Sequence, residues 1–528
     1  VVALLALTAT LYRKVVSLWW LLDDVFHLHF LHDHPGFAYL KRDAFDQLPF
    51  DLFTPLLFIS LDADERLAGL EPAAFHLHQL IALGIGAVVA YAVFRQWLSP
   101  LVSFAGTVLI IAGAPLCTIV QELMLRHYVE GFVFAGVTVL LYVQALRRNS
   151  VALMIAAAFA YLLAAFAKEI YVPLPFALLA LPEGTWPRRV RAALPQGVAL
   201  LVYLALRRLA LGTFGGGYGW AMEARDLPEL ARRMPRELAK RLFVTPSVAV
   251  VLIAIIVIAI VVLARRKKFA PLTIAGLVLL ALAPVIPVMK AFEARYAFAL
   301  WLVVVVTIVA GASVIERSSL RLSLLAIAIV ATLVANRLES RTTMAIAERM
   351  SAEGRWFMAA NADSVLRRPA IPPAAMGELV WLKSISGRAA GARWFYDDIF
   401  LCSASATSIR EFDDASDTIR DVTRPVRQSS AAVCNRAQHP APFSAHFRYD
   451  DGVLHWKLGP YEGGQYRFVL GDGAQAFDVP SEEGFRLPGA RGLTLRIAYL
   501  PAKGDEIYSS PIELDFVNHP DVRLPKRE

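Results

Sequence analysis

Ten apolar runs fill the first two thirds of the chain, at 74–94, 101–120, 130–146, 151–167, 170–182, 194–211, 247–264, 271–289, 296–314 and 319–335. A helix needs about 20 mostly apolar residues to cross a bilayer, more where it tilts, and runs broken by Pro are counted as spans here. The opening Val1-Val2-Ala3-Leu4-Leu5-Ala6-Leu7 shows no basic n-region and reads as the end of one further membrane helix, not as a signal peptide. The expectation is therefore an α-helical polytopic membrane body with about eleven spans. A chain of 528 residues that is 57% hydrophobic and 19% charged is too apolar for a soluble protein of this size.

Basic residues orient the runs. Every second connection carries them: Arg95, Arg147-Arg148, Arg188-Arg189 with Arg191, Arg265-Arg266-Lys267-Lys268, and Arg317 with Arg321. Short basic loops mark the cytoplasmic side. The net charge of +8 is thus a footprint of topology and does not argue for nucleic acid. The remaining connections, 12–73, 121–129, 168–169, 212–246, 290–295 and everything after 336, then face outward. Residues 37–73, with Asp46, Asp51, Asp62 and Asp64, read as short helices lying at the interface. So does 221–243, where Met222, Leu227, Leu230, Met234, Leu238 and Leu242 recur among charges. Gly215-Gly216-Gly217 before it supplies a flexible turn, because no phosphate-loop Lys-Ser/Thr follows.

Past the body, which ends near 338, the chain turns polar. Residues 340–368 read as helix, and Arg368-Pro369-Ala370-Ile371-Pro372-Pro373 as a linker, so that 339–375 joins the body to a soluble domain at 376–528. Alternating runs at 453–458, 465–470 and 493–499, punctuated by Gly463-Gly464, Gly471-Asp472-Gly473 and Pro488-Gly489, predict a β-sandwich over 441–516. Its Trp456 and Tyr466 resemble the core aromatics of fibronectin-type-III domains. Cys402 and Cys434 lie in this tail, free to pair in an oxidising compartment.

On the outward side the threading gathers four polar constellations. The first is Asp23-Asp24, directly after Trp19-Trp20-Leu21-Leu22, where two neighbouring carboxylates repel and one is expected to hold its proton more tightly. The others are Glu122 with Arg126, His127 and Tyr128; Lys168-Glu169, followed by Pro173; and Glu293-Ala294-Arg295-Tyr296. Basic residues at helix ends are ordinary snorkelling anchors taken singly. Acidic and basic groups at one depth suggest a site for an anionic substrate carried by the membrane, since Arg grips phosphate with two bonds and Lys acts as a point charge. His27, His29, His32 and His34 with Asp33 raise a zinc or manganese site, but interfacial histidines are common anchors and the spacing is no specific metal motif. No cofactor is expected, and a divalent metal is not favoured.

Asp-Asp in the first outward loop, Phe53-Thr54-Pro55, Pro72-Ala73-Ala74-Phe75-His76, Ala167-Lys168-Glu169 with Pro173, and Glu293-x-Arg295-Tyr296 resemble the GT-C superfamily of membrane glycosyltransferases. Within it, the chain is most similar to the protein O-mannosyltransferase branch with tetratricopeptide repeats and its bacterial relatives. The likeness covers about residues 1–335, and the tail carries no such repeat. The resemblance implies an inverting enzyme in a bacterial inner membrane, moving a sugar from a polyprenyl-phosphate donor to a protein, glycan or lipid acceptor outside the cytoplasm. It implies Asp23 as the base with Asp24 supporting it, Arg295, Lys168 and Arg126 on the donor phosphate, and Glu169, Glu122, Glu293, Tyr296 and His127 orienting these or touching the sugar. Two other classes stay open at this stage. One is a transporter or flippase of lipid-linked sugars, which calls for inverted repeats and mid-helix charge; the other is a membrane-anchored, glycan-binding scaffold.

Overall fold

The computed structural model describes residues 1–45, 53–214, 227–279, 293–388, 393–404, 407–450, 452–487 and 490–524. Asp46, Asp51, Gly215-Gly216-Gly217, Met222, Lys290, Phe292 and the turn at Pro488-Gly489 lie outside them. The chain divides into two compact units, one within residues 1–347 and the other within 348–528.

The first unit is helical. Among the described residues, six helices are long and apolar enough to cross a membrane: Pro72–Phe94, Leu123–Arg148, Trp186–Leu211, Pro246–Arg265, Ala294–Ser313 and Ser318–Ala359. A seventh crossing results if the bent pair Pro100–Ile111 and Pro115–Gln121 counts as one span. Eleven were expected. The apolar helices Val2–Tyr12, Val151–Ala167 and Glu169–Leu179 fall short of the length a straight crossing requires, and Phe269–Val278 covers only the first part of the expected run 271–289, whose residues 280–289 lie outside the described ones.

Local chemistry sets many of the helix starts. Pro55, Pro72, Pro100, Pro115 and Pro246 occupy the first turn of their helices, where no backbone N–H is needed. Pro115 also forces the 62° bend in the pair 100–121, because it cannot continue the preceding ladder. At that bend the Trp301 indole lies on Gly113 so closely that a methyl carbon there would collide with it, and its Nε1 donates to the Leu109 carbonyl at 2.9 Å. Gly131 likewise receives the Tyr171 ring, whose hydroxyl donates to the Tyr128 carbonyl at 2.6 Å.

One boundary differs from expectation. The helix Ser318–Ala359 is continuous, 42 residues and about 63 Å long at 1.5 Å per residue, where a span and a separate helix were expected. Nor is 339–375 a linker. Strand Ser364–Arg367 pairs in parallel with both Arg393–Phe395 and Ser408–Asp413, and the Pro-rich turn after it merely starts the helix Pro373–Ile385. Pro and Gly mark a tight strand-to-helix connection as readily as a linker. This small α/β region is closed by the Cys402–Cys434 disulfide.

Beyond it lie two antiparallel sheets. One pairs Ser444–Asp450, Val453–Gly459, Glu482–Arg486 and Asp521–Leu524; the other pairs Gln465–Leu470, Gln475–Val479, Gly492–Leu500, Ile507–Tyr508 and Ile512–Asp515. Alternation puts Phe447, Leu454 and Trp456 of the first, and Phe468, Leu495 and Ile497 of the second, into one apolar core.

Candidate functional site

The site is built at the corners between apolar helices of the first unit. Leu22 adopts a left-handed backbone, φ 44°, which turns the chain sharply before the helix Asp24–Asp33. Asp24 then points inward. Its two oxygens accept the backbone N–H groups of Leu21 at 2.9 Å and of Met124 at 2.8 Å, tying this corner to the one a hundred residues later. Burial pushes its carboxyl up to about 7. Asp23 behaves differently: it is partly exposed, and no hydrogen bond engages its carboxylate among the described residues. The two adjacent carboxylates therefore divide into an anchored one and an available one.

The second corner follows from a helix that ends early. After Gln121, Glu122 is extended (φ −98°, ψ 120°), and a 3-10 turn over Leu123–Leu125 leads into the helix Arg126–Arg148. This exposes the Met124 N–H that Asp24 accepts and buries Glu122 against Arg295. Arg295 Nη2 pairs with Glu293 at 2.9 Å, while Nη1 stands 3.7 Å from Glu122. That separation exceeds hydrogen-bond reach, so the Glu122 Oε2 makes no hydrogen bond. Burial pushes the Glu122 carboxyl up to about 8, with Arg295 opposing the shift. Burial likewise raises Glu293. Tyr296 packs its ring under the Arg295 guanidinium, 5.3 Å from centroid to carbon.

Lys168 closes the cluster. It pairs with Glu169 at 3.2 Å and lies 5.4 Å from the centre of the Tyr128 ring. Glu169 is held a second time by Arg207 at 3.4 Å, from the helix Trp186–Leu211. His27 links the parts. Its Nδ1 bonds the Asp23 carbonyl at 2.8 Å, and the ring stacks on Phe58. It stands in the fields of Asp23, Arg295 and Lys168, while burial holds its proton affinity below the usual histidine range. His127 is buried beside Tyr128, with no well-formed hydrogen bond at either ring nitrogen. Asp23, Asp24, Glu122, His127, Lys168, Glu169, Glu293, Arg295 and Tyr296, drawn from all four constellations, thus form one neighbourhood.

Arg126 adjoins this cluster, its charge acting on Asp24, but its bonds are made to other residues. It is fully buried, and its guanidinium is committed to Asp64, to Ser60 at 3.1 Å and to the Phe75 carbonyl at 2.8 Å. Asp64 also accepts from His78 at 2.8 Å, and Ser60 bonds Glu130. This network pins the helix Pro55–Ala68 to the helix that begins at Arg126. Its signal lay in two matched spacings, Ser60 with Asp64 and Arg126 with Glu130, each four apart and so on one helical face. Arg207 was missed because it falls within an apolar helix and carries no motif.

The histidine run forms no cage. On the helix 24–33, two-residue spacing turns successive side chains to nearly opposite faces. His34 Nδ1 bonds the Phe30 carbonyl at 2.8 Å and His29 faces Asp33 at 3.4 Å. Among the described residues, no group of three or more His, Cys, Asp or Glu side chains is placed to hold a metal ion. No protein-family model and no curated protein sequence matches the chain.

Proposed function

We propose that the protein is an inverting, GT-C-like glycosyltransferase that moves a sugar from a polyprenyl-phosphate carrier to an acceptor hydroxyl on the extracytoplasmic side of a bacterial inner membrane. One observation carries the reading. An available carboxylate, Asp23, shares a buried neighbourhood with Arg295 and Lys168, two cations suited to a departing phosphate. A sugar phosphate needs no proton to leave, so one base for the acceptor and fixed positive charge for the leaving group suffice.

In the reaction the acceptor oxygen attacks the anomeric carbon as Asp23 takes its proton. The bond from that carbon to the phosphate oxygen breaks, and the electron pair leaves with the phosphate, held by Arg295 and Lys168. A single displacement through an oxocarbenium-like transition state inverts the anomeric centre. Asp24 positions Asp23 through the backbone it ties down. Glu169 fixes Lys168, Glu293 fixes Arg295, and Glu122 and His127 remain to hydrogen-bond the sugar.

Two further features support the orientation. The tail disulfide suits an oxidising compartment, and all five basic connections fall on the opposite side. An eleven-span body requires Val2–Tyr12, Val151–Ala167, Glu169–Leu179 and the run 271–289 each to cross singly where the bilayer thins around them, and two sheets over one core are what a β-sandwich requires. The gathering of charge at helix corners separates this reading from a transporter. The test measures donor binding and sugar transfer separately. Asp23→Asn keeps the shape and should bind donor yet lose about a hundred- to ten-thousand-fold in rate; Arg295→Ala should lower both. Wild-type transfer by Asp23→Asn removes Asp23 from the role.

A further inference from the structure

The basic amphipathic helix Leu227–Phe243 has no part in the reaction as derived above, yet it delivers one cation to the edge of the site. Leu242 and Phe243 at its end are buried. Arg241 beside them is half-buried, its Nε shielded from solvent without a hydrogen bond, and no ion pair within 4 Å engages it among the described residues. It is nevertheless close enough for its charge to act on Glu293, the carboxylate paired to Arg295, and on Glu339. An unpaired, partly desolvated guanidinium calls for an anion.

A groove starts at the same level. A sharp turn at Val244, φ 66°, leads into the helix Pro246–Arg265, capped by Thr245. Its first residues, Ser247, Val248 and Val251, face Ile327, Val330 and Val334 of the helix Ser318–Ala359 across a groove of about 430 Å³. Apart from Ser247 the six are apolar. Glu339 lies five residues past Val334, about 7.5 Å along the helix. Arg241, whose charge reaches Glu339, thus lies toward that end of the trough.

Resting on the glycosyltransferase reading, we propose that the trough between these two helices holds the isoprenoid chain of the lipid phosphate and that Arg241 grips its phosphate as it passes to Arg295. Branched isoprenoid matches the β-branched lining, and Arg241, with Lys240 beside it, sets positive charge at the mouth to complement a phosphate headgroup.

The test uses the full chain in phosphatidylcholine nanodiscs, with undecaprenyl phosphate as probe and undecaprenol and phosphatidic acid as comparators. Arg241→Gln should weaken undecaprenyl phosphate binding about tenfold or more, leave undecaprenol unchanged, and be largely rescued by Arg241→Lys. Val330→Trp, which fills the trough, should weaken both isoprenoids. Unchanged binding by Arg241→Gln and Val330→Trp, with binding lost in Arg295→Ala, overturns this proposal and leaves the glycosyltransferase reading standing. Equal competition by phosphatidic acid also overturns it, making the trough a general lipid seat. A wild-type chain that binds no undecaprenyl phosphate removes both readings.

Discussion

Removing the Asp24 side chain by Asp24→Ala should unfold the site without touching the chemistry assigned to its neighbour. Both oxygens of Asp24 accept buried backbone donors, those of Leu21 and Met124. Leu21 is 3% exposed and Met124 7%, so water cannot replace the lost acceptors. A buried donor left unsatisfied costs about 1–3 kcal/mol. Two of them amount to about 2–6 kcal/mol, reduced by the relief of no longer burying a carboxyl group. Asp23→Ala removes a carboxylate with no such ties and should cost well under about 1 kcal/mol. Thermal unfolding of the purified chain in detergent, followed by tryptophan fluorescence, measures the difference directly. Asp24→Ala should melt several degrees below wild type and show weakened donor binding, because the corner carrying Glu122 loosens with it. Asp23→Ala should melt with wild type and bind donor, but not turn over. Equal melting temperatures for wild type and Asp24→Ala would refute the division of the pair into anchor and base.

Arg126→Gln should behave as a stability mutant, since breaking a buried ion pair costs about 3–5 kcal/mol; a normal melting temperature with selectively lost donor affinity would return Arg126 to the phosphate. Donor affinity should fall as pH rises through about 8, because Glu122 is neutral below that value and becomes a second anion competing for Arg295 above it. Glu122→Gln should flatten that limb of the binding profile, and an unchanged limb would assign it to another group. Single cysteines at Asp23 and Ser416 should both react with an impermeant thiol reagent added outside intact spheroplasts, and protection of either one contradicts the threading.

Much of the body was legible because membrane chemistry writes itself in long apolar runs. Three tail strands were legible too, since Leu454, Trp456 and Phe468 alternate with polar neighbours. The four constellations came together because corners of apolar helices are where charge survives. Other features were hidden by the range over which they act. Nothing local in Asp23-Asp24 says which carboxylate turns inward; that depends on a backbone N–H at Met124. Arg126 looked like a phosphate ligand because its partner, Asp64, arrives from the helix Pro55–Ala68, 62 residues earlier. The strand Ser364–Arg367 is four residues long, too short for periodicity to show, and the prolines after it imitate a linker.

The bend at Gly113 sets a strict tolerance on the architecture. The Trp301 indole occupies the space a side chain would need there, and Trp301 lies on the same helical rod as Arg295, six residues or about 9 Å further on. A lone methyl group at position 113 would displace the indole, rotate that rod and carry the guanidinium off its mark. An inert change at a residue no ligand touches would be felt as a loss of grip on phosphate.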